Sequence, residues 1–204
     1  MSGAPPFGPG RQVTLDNWQD GPGNRWAFQH VRELIPTARI GRSTSLIRRL
    51  PRDERDLHSV IFRINNEQMT VGELLETSWT DGFMVLHQGR LIAEQYFNGM
   101  TPATTHLLMS VSKSIVAAVA GILTGRGTLD MSAEVSEIVP ELGRTSFAGA
   151  TVRQLLDMRT GTGFSEDYAD PKSDVRAYER VYLWRPADGG EPVPPDALAY
   201  FATL

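Results

Sequence analysis

Ser110 and Lys113 stand three residues apart at the head of the apolar run Ile115-Val116-Ala117-Ala118-Val119-Ala120-Gly121-Ile122-Leu123. In a helix that spacing puts both side chains on one face, with Cβ atoms about 5–6 Å apart. The lysine amine can then reach the serine Oγ. A serine hydroxyl is a weak nucleophile and needs a neighbouring base. Lysine becomes that base when burial in an apolar helix and the positive helix N-terminus lower its pKa. Free backbone N–H groups at the helix start can also stabilise an oxyanion. The chemistry open to this pair is therefore acyl transfer. The bland alternative is a capping serine beside a lysine that reaches out to water, and for an arbitrary Ser-x-x-Lys it is the commoner case. It weakens here because the helix is apolar on all sides, which predicts burial.

Composition makes the pair unusual. Of the 20 basic residues only Lys113 and Lys172 are lysines. The chain has 204 residues, 41% hydrophobic and 22% charged, with a formal net charge of −4. That balance predicts a folded core and gives no basic patch for nucleic acid or an anionic membrane. The absence of cysteine removes disulfides, thiolate metal sites and thiol catalysis. The first ten residues lack the pattern of a signal peptide, and the longest apolar run, Ile115 to Leu123, is far shorter than the ~20 residues of a membrane span. A soluble, cytoplasmic protein is the expectation.

The elements that must position the pair follow from local signals. Residues 1–24, rich in Pro, Gly and Asn, predict an extended arm with turns, pinned by Trp18 and Trp26, with the body over 25–204. A short helix is expected over Trp26–Ile35, ahead of Pro36. The arginines Arg39, Arg42, Arg48, Arg49, Arg52, Arg55 and Arg63 interleave with Asp53, Glu54 and Asp56, and read as a solvated loop before an anion site. A helix is expected over Met69–Thr77. Phe83–His87 and Arg90–Phe97, joined by Gln88-Gly89, read as a β-hairpin. A lone hairpin is marginal in water, so it needs further strands or a covering helix, for which residues 110–123 are the candidate. Val135–Val139 reads as a short amphipathic piece, and Thr151 as the cap of a helix over 151–158. Residues 164–194 read as a long aromatic-rich loop. Pro194-Pro195-Asp196 opens a helix with no closing cap before Leu204.

Ser110-Val111-Ser112-Lys113 resembles the Ser-x-x-Lys motif of the serine β-lactamases and penicillin-binding proteins. Gly127-Thr128-Leu129-Asp130 with Val135 to Leu142, and Thr151-Val152-Arg153-Gln154-Leu155-Leu156, resemble segments of the class C branch. Asp16-x-Trp18-Gln19, Asn24-Arg25-Trp26-Ala27-Phe28, the stretch His106–Ser114 and Glu166-Asp167-Tyr168-x-Asp170-Pro171 are similar to its nylon-oligomer hydrolases. The resemblance implies a β-lactamase/transpeptidase-like α/β (α+β) fold, an antiparallel sheet flanked by helices plus a helical region. It implies Ser110 as acylated nucleophile, Lys113 as its base, the Ser110 N–H as oxyanion donor and Tyr168 as a substrate contact. A small amide or ester substrate, no metal, no cofactor and a homodimer are also implied.

The family's tyrosine base in Tyr-x-Asn, and its later Lys-Thr-Gly or His-x-Gly motif, have no counterpart in this sequence. Two expectations follow. One is the N-terminal part of a longer serine hydrolase; the other is a catalytically incomplete chain or binding module without the second base.

Overall fold

Caps and turn residues decide where the elements begin. The protein is described by a computed structural model over residues 12–41, 49–187 and 192–204. Two compact units divide the chain, Met1–Leu107 and Leu108–Leu204.

In the first unit residues 15–23 form successive turns; residues 1–11 of the expected arm lie outside the described residues. Trp18 and Asn24 donate their N–H groups to the Thr14 and Asp20 carbonyls, both at 2.9 Å. Trp18 is 1% exposed and meets Phe28 edge-on, so it is the anchor the sequence predicts, while Trp26 is half-buried and stacks on His30. The expected 26–35 helix is broken. Helix α1 covers Asn24–Ala27 and a single 3-10 turn covers Val31–Glu33, because His30 leaves helical geometry at φ −125°. Arg42 and Arg48 lie outside the described residues. Arg52 pairs with Glu54 and Glu94, and Arg55 with Asp53, which supports the solvated-loop reading.

Strands β1 (Ile61–Ile64) and β2 (Glu67–Thr70) form an antiparallel hairpin that the sequence reading left out. Its turn residues Asn65 and Asn66 both have positive φ, 50° and 66°, which suits the right-handed twist of the strands. Helix α2 (Val71–Thr77) begins in a capping box, in which Thr70 accepts from the Glu73 N–H and the Glu73 carboxylate accepts from the Thr70 N–H.

The expected second hairpin is present as β3 (Gly82–His87) and β4 (Arg90–Tyr96), with a register shift between Val85 and Leu86. Gln88 and Gly89 turn at φ 49° and 74°. The hairpin is not alone. Residues 51–55 run along β4, with Leu91 N–H donating to Pro51 O at 2.8 Å and Asp53 and Arg55 N–H donating back to Leu91 and Ile92 carbonyls at 2.9 Å. Leu91, Ile92 and Ala93 are correspondingly buried. Pro51 hides this edge from a strand reading, since it breaks the expected pattern.

The second unit opens with α3 (Val111–Gly125), close to the predicted span, and ends it at Arg126 with Gly127 at φ 70°. Then come α4 (Val135–Ile138), a 3-10 turn over Pro140–Arg144, and α5 (Val152–Leu156), whose Thr151 cap forms a box with Gln154. Val135, Leu142, Phe147 and Ala150 form a buried cluster. The 164–194 stretch is not all loop: α6 (Asp174–Val181) lies inside it. Its eight residues alternate apolar Val175, Tyr178 and Val181 with charges, a pattern obscured by the surrounding Asp, Pro and Gly. Helix α7 (Ala197–Phe201) starts at Asp196, as predicted, but closes at Phe201 instead of running on. Leu204 folds back on the cluster, its carbonyl accepting from the Ser146 N–H at 3.0 Å.

Thr70→Ala removes the α2 cap and is expected to cost about 1 kcal/mol in urea unfolding. Bonding to the Thr70 backbone N–H, and then to its hydroxyl, lowers the Glu73 pKa below 4.5. A depressed carboxylate stabilises the fold above its unfolded pKa, and the contribution is lost as pH falls through the folded value. The Thr70→Ala deficit should therefore shrink in unfolding curves measured below about pH 4.

Candidate active site

The first turn of α3 holds both predicted reactive residues. Ser110 occupies the cap position, yet its side chain accepts no amide hydrogen bond from the turn. Its Oγ instead accepts from Lys113 Nζ at 3.0 Å. The Lys113 N–H donates to the Ser110 carbonyl, also at 3.0 Å, so one helical turn sets the pair's spacing. The Ser110 N–H meets no acceptor among the described residues. That leaves a backbone donor free beside the hydroxyl.

Met109, immediately before the serine, has φ 47°. A left-handed conformation costs a non-glycine residue about 1–2 kcal/mol. It turns the incoming chain sharply into α3 and projects Ser110 from the bend. The sequence carried no sign of this residue, because methionine has no preference for positive φ.

One expectation is corrected. The pair was placed on a buried helix, but Lys113 is exposed, and so is most of α3. Val111, Ile115, Val116, Val119 and Ile122 are each more than half exposed, and Ala120 is the one buried residue of the helix. The buried cluster of the unit is made by residues 135–150 and does not extend to α3. At about 100° per residue, Ser110, Lys113, Ala117, Ala120 and Thr124 share one narrow face. Ala117 and Thr124 on it are half-buried, whereas the opposite stripe of large apolar residues is open.

Tyr168 lies on the loop between α5 and α6, with its side chain 56% exposed. Arg176 of α6 lies over its ring at 5.3 Å and donates from Nη2 to the Tyr168 carbonyl. The structure thus brings Ser110 and Lys113 together. It joins Tyr168 to neither by a hydrogen bond or ring contact among the described residues. Arg176 and Glu179, which hold the tyrosine's loop, were missed; their i, i+3 spacing of opposite charges was the available signal.

Among the described residues no group of three or more His, Asp or Glu is arranged to hold a metal, and no helix is long and apolar enough to cross a membrane. Residues 65–202 match the Beta-lactamase family. The chain belongs to this family. Its fold is the beta-lactamase-like mixture of helices and small antiparallel sheets that the sequence predicted. Over 196 residues it is 38% identical to the 6-aminohexanoate-dimer hydrolase of Paenarthrobacter ureafaciens, covering 95% of this chain and 47% of that protein. A solved structure named "Putative 6-aminohexanoate-dimer hydrolase from Bacillus anthracis" superposes with a TM-score of 0.77 at 27% identity, covering 91% of this chain and 49% of that one. The chain spans about half the length of both relatives.

Because Ser110 caps nothing, Ser110→Ala should change the unfolding free energy by less than about 0.5 kcal/mol, against about 1 kcal/mol for a capping serine. A larger loss in chemical unfolding would return Ser110 to a structural role.

Proposed function

We propose that Ser110 is the nucleophile of a serine hydrolase that cleaves small amides or esters through an acyl-enzyme. The observation that carries this reading is the 3.0 Å contact between Lys113 Nζ and Ser110 Oγ, made by a serine that occupies a cap position without capping. With the amine neutral, the hydroxyl proton passes to Lys113 as Oγ attacks the carbonyl carbon. The oxyanion that forms is met by the free Ser110 N–H. The carbon–nitrogen or carbon–oxygen bond then breaks, the leaving amine or alcohol takes the proton, and the acyl group stays on Oγ. Water attacks that ester in the second half and releases the acid. No step calls for a cofactor. The 6-aminohexanoate-dimer relatives favour a small linear amide or ester, with Tyr168 as a contact for its chain.

A second reading is supported by the exposure of Lys113. It favours a chain that binds such substrates without turning them over, since the described residues leave that amine exposed beside Ser110.

A fluorophosphonate probe with peptide mapping separates the readings. Stoichiometric labelling at Ser110, lost in Ser110→Ala and slowed about 10²–10⁴-fold in Lys113→Ala, is expected. Labelling at any other serine, or none in a folded chain, would sink the proposal.

A further inference from the structure

Glu179 is 5% exposed, a carboxylate inside the unit. A buried charge is costly unless paired. Here Arg176 Nη1 and Arg185 Nε both donate to Glu179 Oε2 at 2.7 Å. Two cations on one buried acid is more than neutralisation needs, and the second use of Arg176 shows what the surplus does. Its other nitrogen, Nη2, donates to the Tyr168 carbonyl, and its guanidinium carbon stands over the Tyr168 ring, 5.3 Å from the centroid. The Arg176 side chain is itself only 12% exposed. A planar guanidinium fixed at one edge by a buried carboxylate presents its other edge and face in one orientation.

The rest of the loop is tied down from the same helix. The Ser165 N–H donates to Asp174 Oδ2 at 2.8 Å, and the Val175 N–H donates to the Ser165 carbonyl at 3.0 Å. The Asp170 carboxylate accepts from the Lys172 N–H at 2.8 Å, and its carbonyl accepts from the Ser173 N–H at 3.2 Å. Residues 165–173 are held at both ends and at Tyr168, while the Tyr168 ring stays largely in solvent. An aromatic residue that is held at its backbone and left more than half exposed costs a ligand little ordering entropy.

We infer that Arg176, anchored by Glu179, is a positioning residue that presents the Tyr168 ring to the acyl chain of the substrate. The inference rests on the reading of Ser110 as nucleophile and Tyr168 as substrate contact. It adds that Arg176 touches no substrate and acts through Tyr168. Arg176→Gln removes the clamp while Arg185 still pairs Glu179, so the carboxylate is not left bare. Arg176→Lys keeps the charge and loses the fork.

The test uses the full chain and two readouts. The first is the rate of chymotryptic cleavage after Tyr168, which needs no activity. The second is Ser110 labelling by diisopropyl fluorophosphate, compared with a fluorophosphonate carrying a six-carbon amide chain. Arg176→Gln should accelerate cleavage about tenfold and lower long-chain labelling about tenfold. Diisopropyl fluorophosphate labelling should stay within about twofold, and Arg176→Lys should fall between. Tyr168→Ala should reproduce the selective loss of long-chain labelling. Unchanged cleavage in a folded Arg176→Gln overturns the clamp. Faster cleavage with an unchanged labelling ratio overturns its role in presenting Tyr168. Failure of the wild-type chain to label at Ser110 with either probe overturns the nucleophile instead, and the cleavage arm still decides whether Arg176 holds the loop.

Discussion

The constraint on which the site depends is the pitch of one helical turn. Lys113 meets Ser110 because residues three apart in an α-helix share a face, and the Lys113 N–H bond to the Ser110 carbonyl fixes that turn. Met109 bends the chain through a left-handed conformation, and the bend leaves the Ser110 hydroxyl out of the cap geometry that a serine at this position ordinarily adopts. The hydroxyl is then available to the amine, and the Ser110 N–H to an incoming oxygen. A left-handed residue and an unused cap thus stand side by side at the start of α3.

Tyr168 is placed by a different kind of interaction. Its position depends on a guanidinium fork bridging a buried carboxylate and a backbone carbonyl, an arrangement reaching eight residues along the chain from Arg176 to Tyr168. The two halves of the candidate site thus rest on different physics. Helix geometry sets Ser110 and Lys113 almost without reference to the rest of the unit. Charge pairing inside α6 sets the loop. A substitution in one should leave the other largely in place, since neither shares a partner with the other.

How much of this was legible in the sequence follows from the range of each interaction. Ser110–Lys113, the Thr151 cap, the Gln88-Gly89 turn and the Asp196 helix start are all encoded within four residues, and all are present where the sequence places them. The β1–β2 hairpin escaped because Glu67 and Gln68 dilute the strand pattern, although Asn65-Asn66 is a turn signal and Thr70-x-x-Glu73 a capping-box signal. The pairing of 51–55 with β4, the fold-back of Leu204 and the Arg176–Tyr168 contact are longer-range matters that residue types alone do not encode. The Met109 conformation is local but invisible, because nothing about methionine announces it.

The largest departure concerns burial, and it changes what the apolar run means. Reading α3 as apolar on every side merged two faces that the structure separates. The face carrying Ser110 and Lys113 continues through Ala117, Ala120 and Thr124, of which Ala120 is buried and the other two half-buried. The other face carries Val111, Ile115, Val119 and Ile122, whose branched side chains stand open to solvent. Hydrophobicity counted along the chain cannot distinguish these, because both faces score as apolar. Their physical roles differ. A stripe of small residues on the face of the lysine sets how closely other atoms can pack along that face. The open aliphatic stripe bears on packing alone. The face shared by Ser110 and Lys113 is therefore the one with small residues, not the large ones that made the helix conspicuous in the sequence.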